Sequence, residues 1–124
     1  MTSVLNVDTI ADKAGTGPVG LTKQHAAKAW QNLDGTSTIS TRDSFNIAST
    51  TDTATGRYKP NFTNAMNNSS YAVTTNGHRA EDHAIASRTN EQTTSQYEIM
   101  SHGHTNTTDT DTDSAFSVIH GDLA

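Results

Sequence analysis

The chain has 124 residues, with 8 Lys plus Arg against 13 Asp plus Glu and no Cys. This length predicts one domain, the weak negative charge argues against a nucleic-acid backbone as partner, and the lack of Cys excludes disulfides. Leu, Ile, Val and Phe number only 4, 6, 5 and 3, below the roughly 20% at which disorder becomes an alternative, but the weak net charge and the period-two pattern argue against disorder. We therefore expect a homo-oligomer, specifically a homotrimer, in which neighbouring subunits complete the core.

No stretch is long and apolar enough to predict a signal peptide or a membrane insertion, so we expect folding in a cytoplasm. Residues 1–20 hold a short apolar run that includes Val4, Val7 and Ile10, followed by Gly and Pro residues that interrupt regular structure. One short strand cannot fold alone. The pattern predicts an N-terminal docking arm, on its own domain or on a neighbour, with a frayed terminus as the alternative.

Residues 21–35 are predicted to form a short connector helix. Thr22 can cap it, Ala29 and Leu33 fall four residues apart, and Gly35 follows as a stop. Three turns are too few to persist without packing. Trp30, the only Trp, is then expected to anchor this helix on the sheet or on a second subunit.

Residues 36–124 are predicted to form an antiparallel β-sandwich, because short apolar runs alternate with turn residues. The predicted strand centres lie near Asn46, Lys59, Val73, Ile85, Ile99 and Ser117. The predicted fold class is thus all-β, with the short arm and the one helix in front. The stretch Gly77 to Arg88 is also compatible with a helical turn.

Residues of equal parity predict the faces of the strands in the Asp43 to Val73 region. Phe45 and Ile47 share one parity, as do Tyr58 and Phe62, so each pair is expected on one buried face. Pro60 predicts an edge strand or a bulge, since Pro cannot donate to a sheet ladder.

The last predicted strand runs from Ser114 to His120. It offers Phe116 and Val118 on one face and Ala115 and Ile119 on the other. A strand that is apolar on both faces is expected to be covered on both sides.

Three groups of polar residues contain side chains of the kinds used in catalysis or metal binding. His78 and His83 flank Glu81 and Asp82, but no Ser lies in a recognisable nucleophile motif. A chance cluster explains this group better than catalysis does, and we predict a protein that is not an enzyme.

His102 and His104 would point to one face of a strand about 7 Å apart, and three copies around a trimer axis could bind an octahedral ion. The alternative is two solvated side chains at the end of the strand. Asp109, Asp111 and Asp113 begin like a calcium loop, but Ser114 and His120 occupy the places where an EF-hand needs Gly and Glu. A polar loop into the last strand is therefore preferred. No catalytic, cofactor-binding or metal-binding residue is assigned, and no cofactor is predicted.

Several segments resemble tailed-bacteriophage fibre and virion structural proteins with a terminal β domain, of the marine or cyanophage type. They are DSFN, TGRY and NFTNAMNNSSYAV within the Asp43 to Val73 region, VDTIADKAGTGPVGLTKQHAAKAW in front of it, and the C-terminal DSAFSVIHGD. The resemblance implies a non-enzymatic, trimeric virion protein, made in the host cytoplasm and located in the virion. It implies a tail-fibre module for assembly and host attachment.

The alternative is a capsid decoration, cement or head-fibre protein, because the connector begins at Met1 without a shaft ahead of it. In both cases the N-terminal arm would bind another virion protein of the tail or capsid. The many Thr, Ser and Asn residues fit either a plain solvated sheet or a surface that contacts a host glycan or protein.

Overall fold

The computed structural model of the chain describes residues 26–78, 83–88, 91–103 and 108–124. These residues form eight β-strands and contain no helix. The strands are β1 Ala29–Asp34, β2 Ser40–Phe45, β3 Ile47–Ala54, β4 Arg57–Phe62, β5 Ala72–His78, β6 His83–Arg88, β7 Glu98–Gly103 and β8 Ser114–His120. The predicted all-β class is confirmed, and the N-terminal arm at residues 1–20 lies outside the described residues.

The strands form two antiparallel four-stranded sheets in a sandwich-like arrangement. The first sheet has the order β2-β1-β8-β5 and the second the order β3-β4-β7-β6. The chain passes from the first to the second sheet where β2 continues into β3, and again where β5 is followed by β6. In each passage an edge strand of one sheet is followed by an edge strand of the other.

The buried core is shared by side chains from both sheets and their connections. Its members are Ala29, Leu33, Tyr58, Phe62, Met66, Tyr71, Tyr97, Ile99, Ala115 and Ile119. The ring of Phe62 stacks on Tyr97 with centroids 5.4 Å apart and meets Tyr71 edge-on at 5.5 Å. The expected shared burial of Tyr58 and Phe62 is confirmed, so alternation along β4 correctly indicated the inner face.

The connector helix predicted at residues 21–35 is wrong where the structure describes it. Ala29–Asp34 is strand β1, which lies between β2 and β8 in the interior of the first sheet. The β region therefore begins before residue 36, and residues 21–25 of the predicted helix lie outside the described part. Trp30 is a half-buried strand residue and anchors no helix.

A buried polar side chain helps explain why this segment is a strand. Ala29, Gln31 and Leu33 all face inward and are almost fully buried. The side-chain amide of Gln31 donates to the Thr41 hydroxyl at 2.8 Å and to the Thr50 hydroxyl at 2.5 Å. These partners come from β2 and β3, so the burial of Gln31 depends on contacts distant in sequence.

Asn46 forms the corner between the two sheets and reverses the facing of the residues around it. It has a positive φ of 57°, a conformation that Asn tolerates better than most residues. Its side chain donates to the Lys28 carbonyl and accepts from the Asn64 amide, at 3.0 and 2.7 Å. Ile47 packs against the core, whereas Phe45 is exposed, so the predicted shared face of these two residues is wrong.

The remaining strand predictions are largely confirmed. Strands β4 to β8 contain five of the six predicted centres, whereas the sixth, Asn46, lies at the corner between β2 and β3. Strand β6 shows that residues 83–88 are not helical. Pro60 lies in β4, an interior strand, so the edge prediction is wrong. The paired ladder between β4 and β7 covers only Arg57 and Tyr58 and ends before Pro60, as expected for a residue without an amide hydrogen.

Candidate functional site: an aromatic sheet face

The outer surface of the first sheet carries large apolar side chains in contact with solvent. On β1 the inward residues alternate with Trp30, Asn32 and Asp34, which face away from the core. Phe45 on β2 is paired with Trp30, and Val118 on β8 is paired with Trp30 from the other side. These three side chains thus form a continuous row across three strands, since directly paired residues are neighbours on one face.

Phe116 extends this row along β8. It is paired with Asn32 on one side and Asn76 on the other, and it is 39% exposed, while Phe45 is 53% exposed. We call the surface formed by Trp30, Phe45, Phe116 and Val118 the aromatic face. Two of the three Phe residues of the chain therefore lie on one outer surface.

The aromatic face modifies the prediction for the last strand. Ala115 and Ile119 are buried between the sheets as expected, but none of the residues that the structure describes covers Phe116 enough to bury it, and Phe116 is 39% exposed. The sequence pattern of a strand apolar on both faces is thus real, and one of its two faces remains open. Large exposed apolar side chains gathered on one surface are a common mark of an interaction site.

Polar and charged residues frame the aromatic face, and their charges differ at its two ends. One end has Lys28, just before β1, and His120, which is exposed. The other end has Asp34, Asp43 and Arg42. The Thr36 hydroxyl and amide donate to Asp34 and lower the pKa of its carboxyl, so this end carries stable negative charge at neutral pH.

Arg42 is held in place within the acidic end. Its guanidinium donates to Asp34 at 2.9 Å and to the Ser114 hydroxyl at 3.0 Å. The register shift between Asn32 and Leu33 lets Arg42 and its neighbour Asp43 both reach the outer surface. With Asp34 and Asp43 against one Arg, the acidic end is net negative.

The outer surface of the second sheet is different in character. Arg57 pairs there with Asp109 at 2.6 Å, and Lys59 with Glu91 at 3.1 Å. Both carboxylates come from segments between strands. The charged residues of this surface thus have partners within the chain, whereas the aromatic face offers apolar rings without an observed cover.

The histidine and acidic group predicted as a chance cluster is only partly described. His78 is exposed, and its Nδ1 lies 3.5 Å from the Asp113 carboxylate. Glu81 and Asp82 lie outside the described residues, as does the side chain of His83. The part that is seen is a surface contact between two exposed side chains.

His102 is half-buried, and its Nδ1 lies 3.7 Å from the Asp109 carboxylate. His104 lies outside the described residues, so the proposed pair of imidazoles is not observed together. Within the part of the chain that the structure describes, no group of three His, Cys, Asp or Glu residues could hold a metal ion.

The alternating aspartates each contact a different part of the protein. Asp109 accepts from Arg57, which lowers the pKa of the Asp109 carboxyl. Asp111 accepts from the Gly56 amide at 2.7 Å, which fixes the hairpin turn between β3 and β4. The predicted polar loop into β8 is confirmed in this sense: the carboxylates of Asp109 and Asp111 serve as acceptors within the chain.

A buried tyrosine joins that loop to β1. The Tyr58 hydroxyl donates to the Gly35 carbonyl at 3.1 Å and accepts from the Thr112 amide at 3.2 Å. Burial raises the pKa of Tyr58 to about 12, so the hydroxyl stays protonated and can keep donating. This network orders the end of the sandwich that lies beside the acidic end of the aromatic face.

Comparison with known proteins identifies no homologue. No family model, curated protein or solved structure matches the chain. Among the described residues, no helix is long and apolar enough to cross a membrane. The function of the chain therefore has to be argued from its own surfaces.

The chemistry that the aromatic face can perform is binding. It offers aromatic rings that lose unfavourable contact with water when covered, and charged groups at its ends that can set the orientation of a partner. Sequence reasoning found Trp30 and Phe116 but assigned Trp30 to a helix and Phe45 to the core. The sequence feature that could have placed Phe45 outside the core is Asn46, because Asn readily adopts the positive φ that changes which side of the sheet the neighbouring side chains face.

Proposed function

We propose that this chain is a non-enzymatic structural module of a tailed-phage virion, of the tail-fibre type, which acts in assembly and host attachment. The observation that carries the binding part is the aromatic face, where Phe45 and Phe116 are 53% and 39% exposed. A protein with so few large apolar residues places several of them where none of the described residues buries them. Such a distribution favours a role in binding.

The virion part of the proposal is supported by the sequence resemblance. The segments that carry it fall on β2, β5 and β8 of the first sheet and on β4 of the second. The same resemblance favours an N-terminal arm that binds another virion protein. The homotrimer that it implies stays a prediction, which the mass of the protein in solution tests.

The test is to locate the chain in the particle. An antibody raised against the purified chain would be applied to purified phage that encode it, with phage deleted for the gene as the matched control, and gold label would be mapped by electron microscopy. Label at the distal end of the tail supports the tail-fibre proposal. Label over the head would replace it with capsid decoration or a head fibre, and equal label on both phages would refute a place in the virion.

A further inference from the structure

We propose that the aromatic face is a self-association surface on which a second copy of this chain packs, sheet against sheet, around a two-fold axis. The inference rests on the proposed function, because it takes the same face as the binding surface, and it names a second copy in a two-fold pair as the occupant, in place of the trimer that the sequence predicts. It draws on the arrangement of three aromatic side chains and on the opposite charges at the two ends of the face.

The first argument is the layout of the surface. Trp30, Phe45 and Val118 form a row across neighbouring strands, and Phe116 lies one step along β8. Polar residues surround them, such as Asn76 and the exposed Thr74 on β5. An apolar centre rich in aromatic residues with a polar rim is the usual anatomy of a protein interface.

The second argument is charge complementarity under a two-fold axis. When two identical sheets face each other around an axis that runs across the strands, their strands are antiparallel and opposite ends of the face meet. Lys28 of one copy then lies over the end that carries Asp34 and Asp43 in the other. The contact is self-complementary, as a two-fold interface requires, and the positive and negative ends meet twice.

The area of the outer surface of the first sheet predicts how strong the contact between two copies is. Four strands about 4.8 Å apart and six residue steps of about 3.3 Å give a surface of roughly 20 Å by 20 Å. The two copies together cover about 800 Å² in projection, which is below the roughly 1,200–2,000 Å² of stable specific interfaces and in the range of weak, transient contacts. We therefore expect a weak dimer with a dissociation constant in the micromolar range, not a permanent one.

The experiment is analytical ultracentrifugation of the full chain from about 1 µM to about 300 µM. The wild-type protein is expected to shift from monomer to dimer over this range. Phe116→Arg places two like charges in the contact and is expected to raise the dissociation constant at least tenfold. The control Thr51→Arg adds the same charge at an exposed position of β3, in the second sheet, and is expected to leave the constant within about twofold.

Charge exchange tests the orientation of the two copies. Lys28→Glu and Asp43→Lys are each expected to weaken the dimer, because like charges would then meet at both ends, and the double variant is expected to recover most of the wild-type affinity. Circular dichroism confirms that each variant is folded. Asp43 is exposed and Lys28 is half-buried, and neither belongs to the buried core, so unfolding is not expected.

Several results would overturn the inference. A wild-type protein that stays monomeric throughout, a trimeric mass, or an unchanged constant for Phe116→Arg would each do so. A monomer that binds glycans on an array, and loses them with Phe116→Arg, would make the face a sugar platform instead. The virion location is tested separately by antibody label, so a dimer without label on the particle would refute the proposed function and leave this inference standing.

Discussion

The hydrogen bond between Tyr97 and Ser117 offers a quantitative test of how the two sheets are joined. The two hydroxyl oxygens are 2.6 Å apart, and both residues are about 1% exposed. Tyr97 directly precedes β7 of the second sheet, and Ser117 is the middle residue of β8 in the first. The bond therefore connects the interior of one sheet with the other.

Removing either hydroxyl alone leaves the other buried without this partner. A neutral hydrogen bond contributes about 1 kcal/mol, and a buried hydroxyl left unpaired costs about 1–3 kcal/mol. Tyr97→Phe and Ser117→Ala are each expected to lower the free energy of unfolding by about 2 kcal/mol. The double variant should lose only about 2–3 kcal/mol, because no orphaned hydroxyl remains, which gives a coupling energy of about 1–2 kcal/mol.

Urea unfolding followed by circular dichroism measures these values, at one low protein concentration so that self-association does not contribute. Thr51→Ala is the matched control, since Thr51 is exposed on β3 and its effect should add to that of Tyr97→Phe. Strictly additive effects of Tyr97→Phe and Ser117→Ala would refute the reasoning. They would show that the two hydroxyls do not depend on each other.

Four further predictions concern stability. Burial raises the pKa values of Tyr58 and Tyr71 to about 12. The free energy of unfolding should therefore keep its full value below about pH 10 and fall as the pH rises towards 12. Urea unfolding midpoints and tyrosinate absorbance measured against pH would show this, whereas a midpoint that does not change up to about pH 12 would contradict it. Gly56→Ala should lower the free energy of unfolding by at least about 1–2 kcal/mol. The reason is that Gly56 has a φ of +67° and an added Cβ would lie 2.6 Å from the backbone nitrogen of Thr110. An unchanged urea midpoint would count against this turn geometry. The ion pair with Arg57 lowers the pKa of Asp109 from 3.8, so its contribution to the free energy of unfolding should be present above about pH 4 and fade below that. Asp109→Asn should reduce the loss of stability that the wild-type protein shows as the pH falls below about 4. An equal loss in the variant would exclude this role. Trp30→Ala should lower the free energy of unfolding by less than the roughly 3–5 kcal/mol of a buried Trp, since Trp30 is only half-buried. It should weaken self-association more than folding, and thermal melts and ultracentrifugation of the same variant measure the two effects separately. A loss of folding stability without a change in association would contradict this.

The candidate site was only partly predictable. The apolar residues on both faces of Ser114–His120 indicated that something has to cover Phe116, and the structure leaves that face open. Phe45 was misplaced because alternation was carried through Asn46, whose positive φ reverses the facing. A left-handed residue within an alternating run is invisible to the pattern, although Asn is one of the few residues that favours it.

The predicted helix shows a general ambiguity. Residues four apart lie on one face in a helix and also in a strand, because four is close to the helical repeat and is a multiple of two. Ala29 and Leu33 are such a pair, so their spacing could not decide between the two structures. Gln31, the polar residue between them, is buried because its side-chain amide donates to Thr41 on β2 and Thr50 on β3.

The sequence by itself determined the features that depend on local alternation: the all-β class, strands β4 to β8, and the inner face of Tyr58 and Phe62. These follow from the period of two and from turn residues such as Gly56, which act within a few positions of the chain. Only the tertiary structure decided that β1 is an interior strand and that Trp30, Phe45 and Phe116 share one open surface. Those facts depend on which distant strands pair, because pairing sets which side chains become neighbours, and no local pattern carries that information.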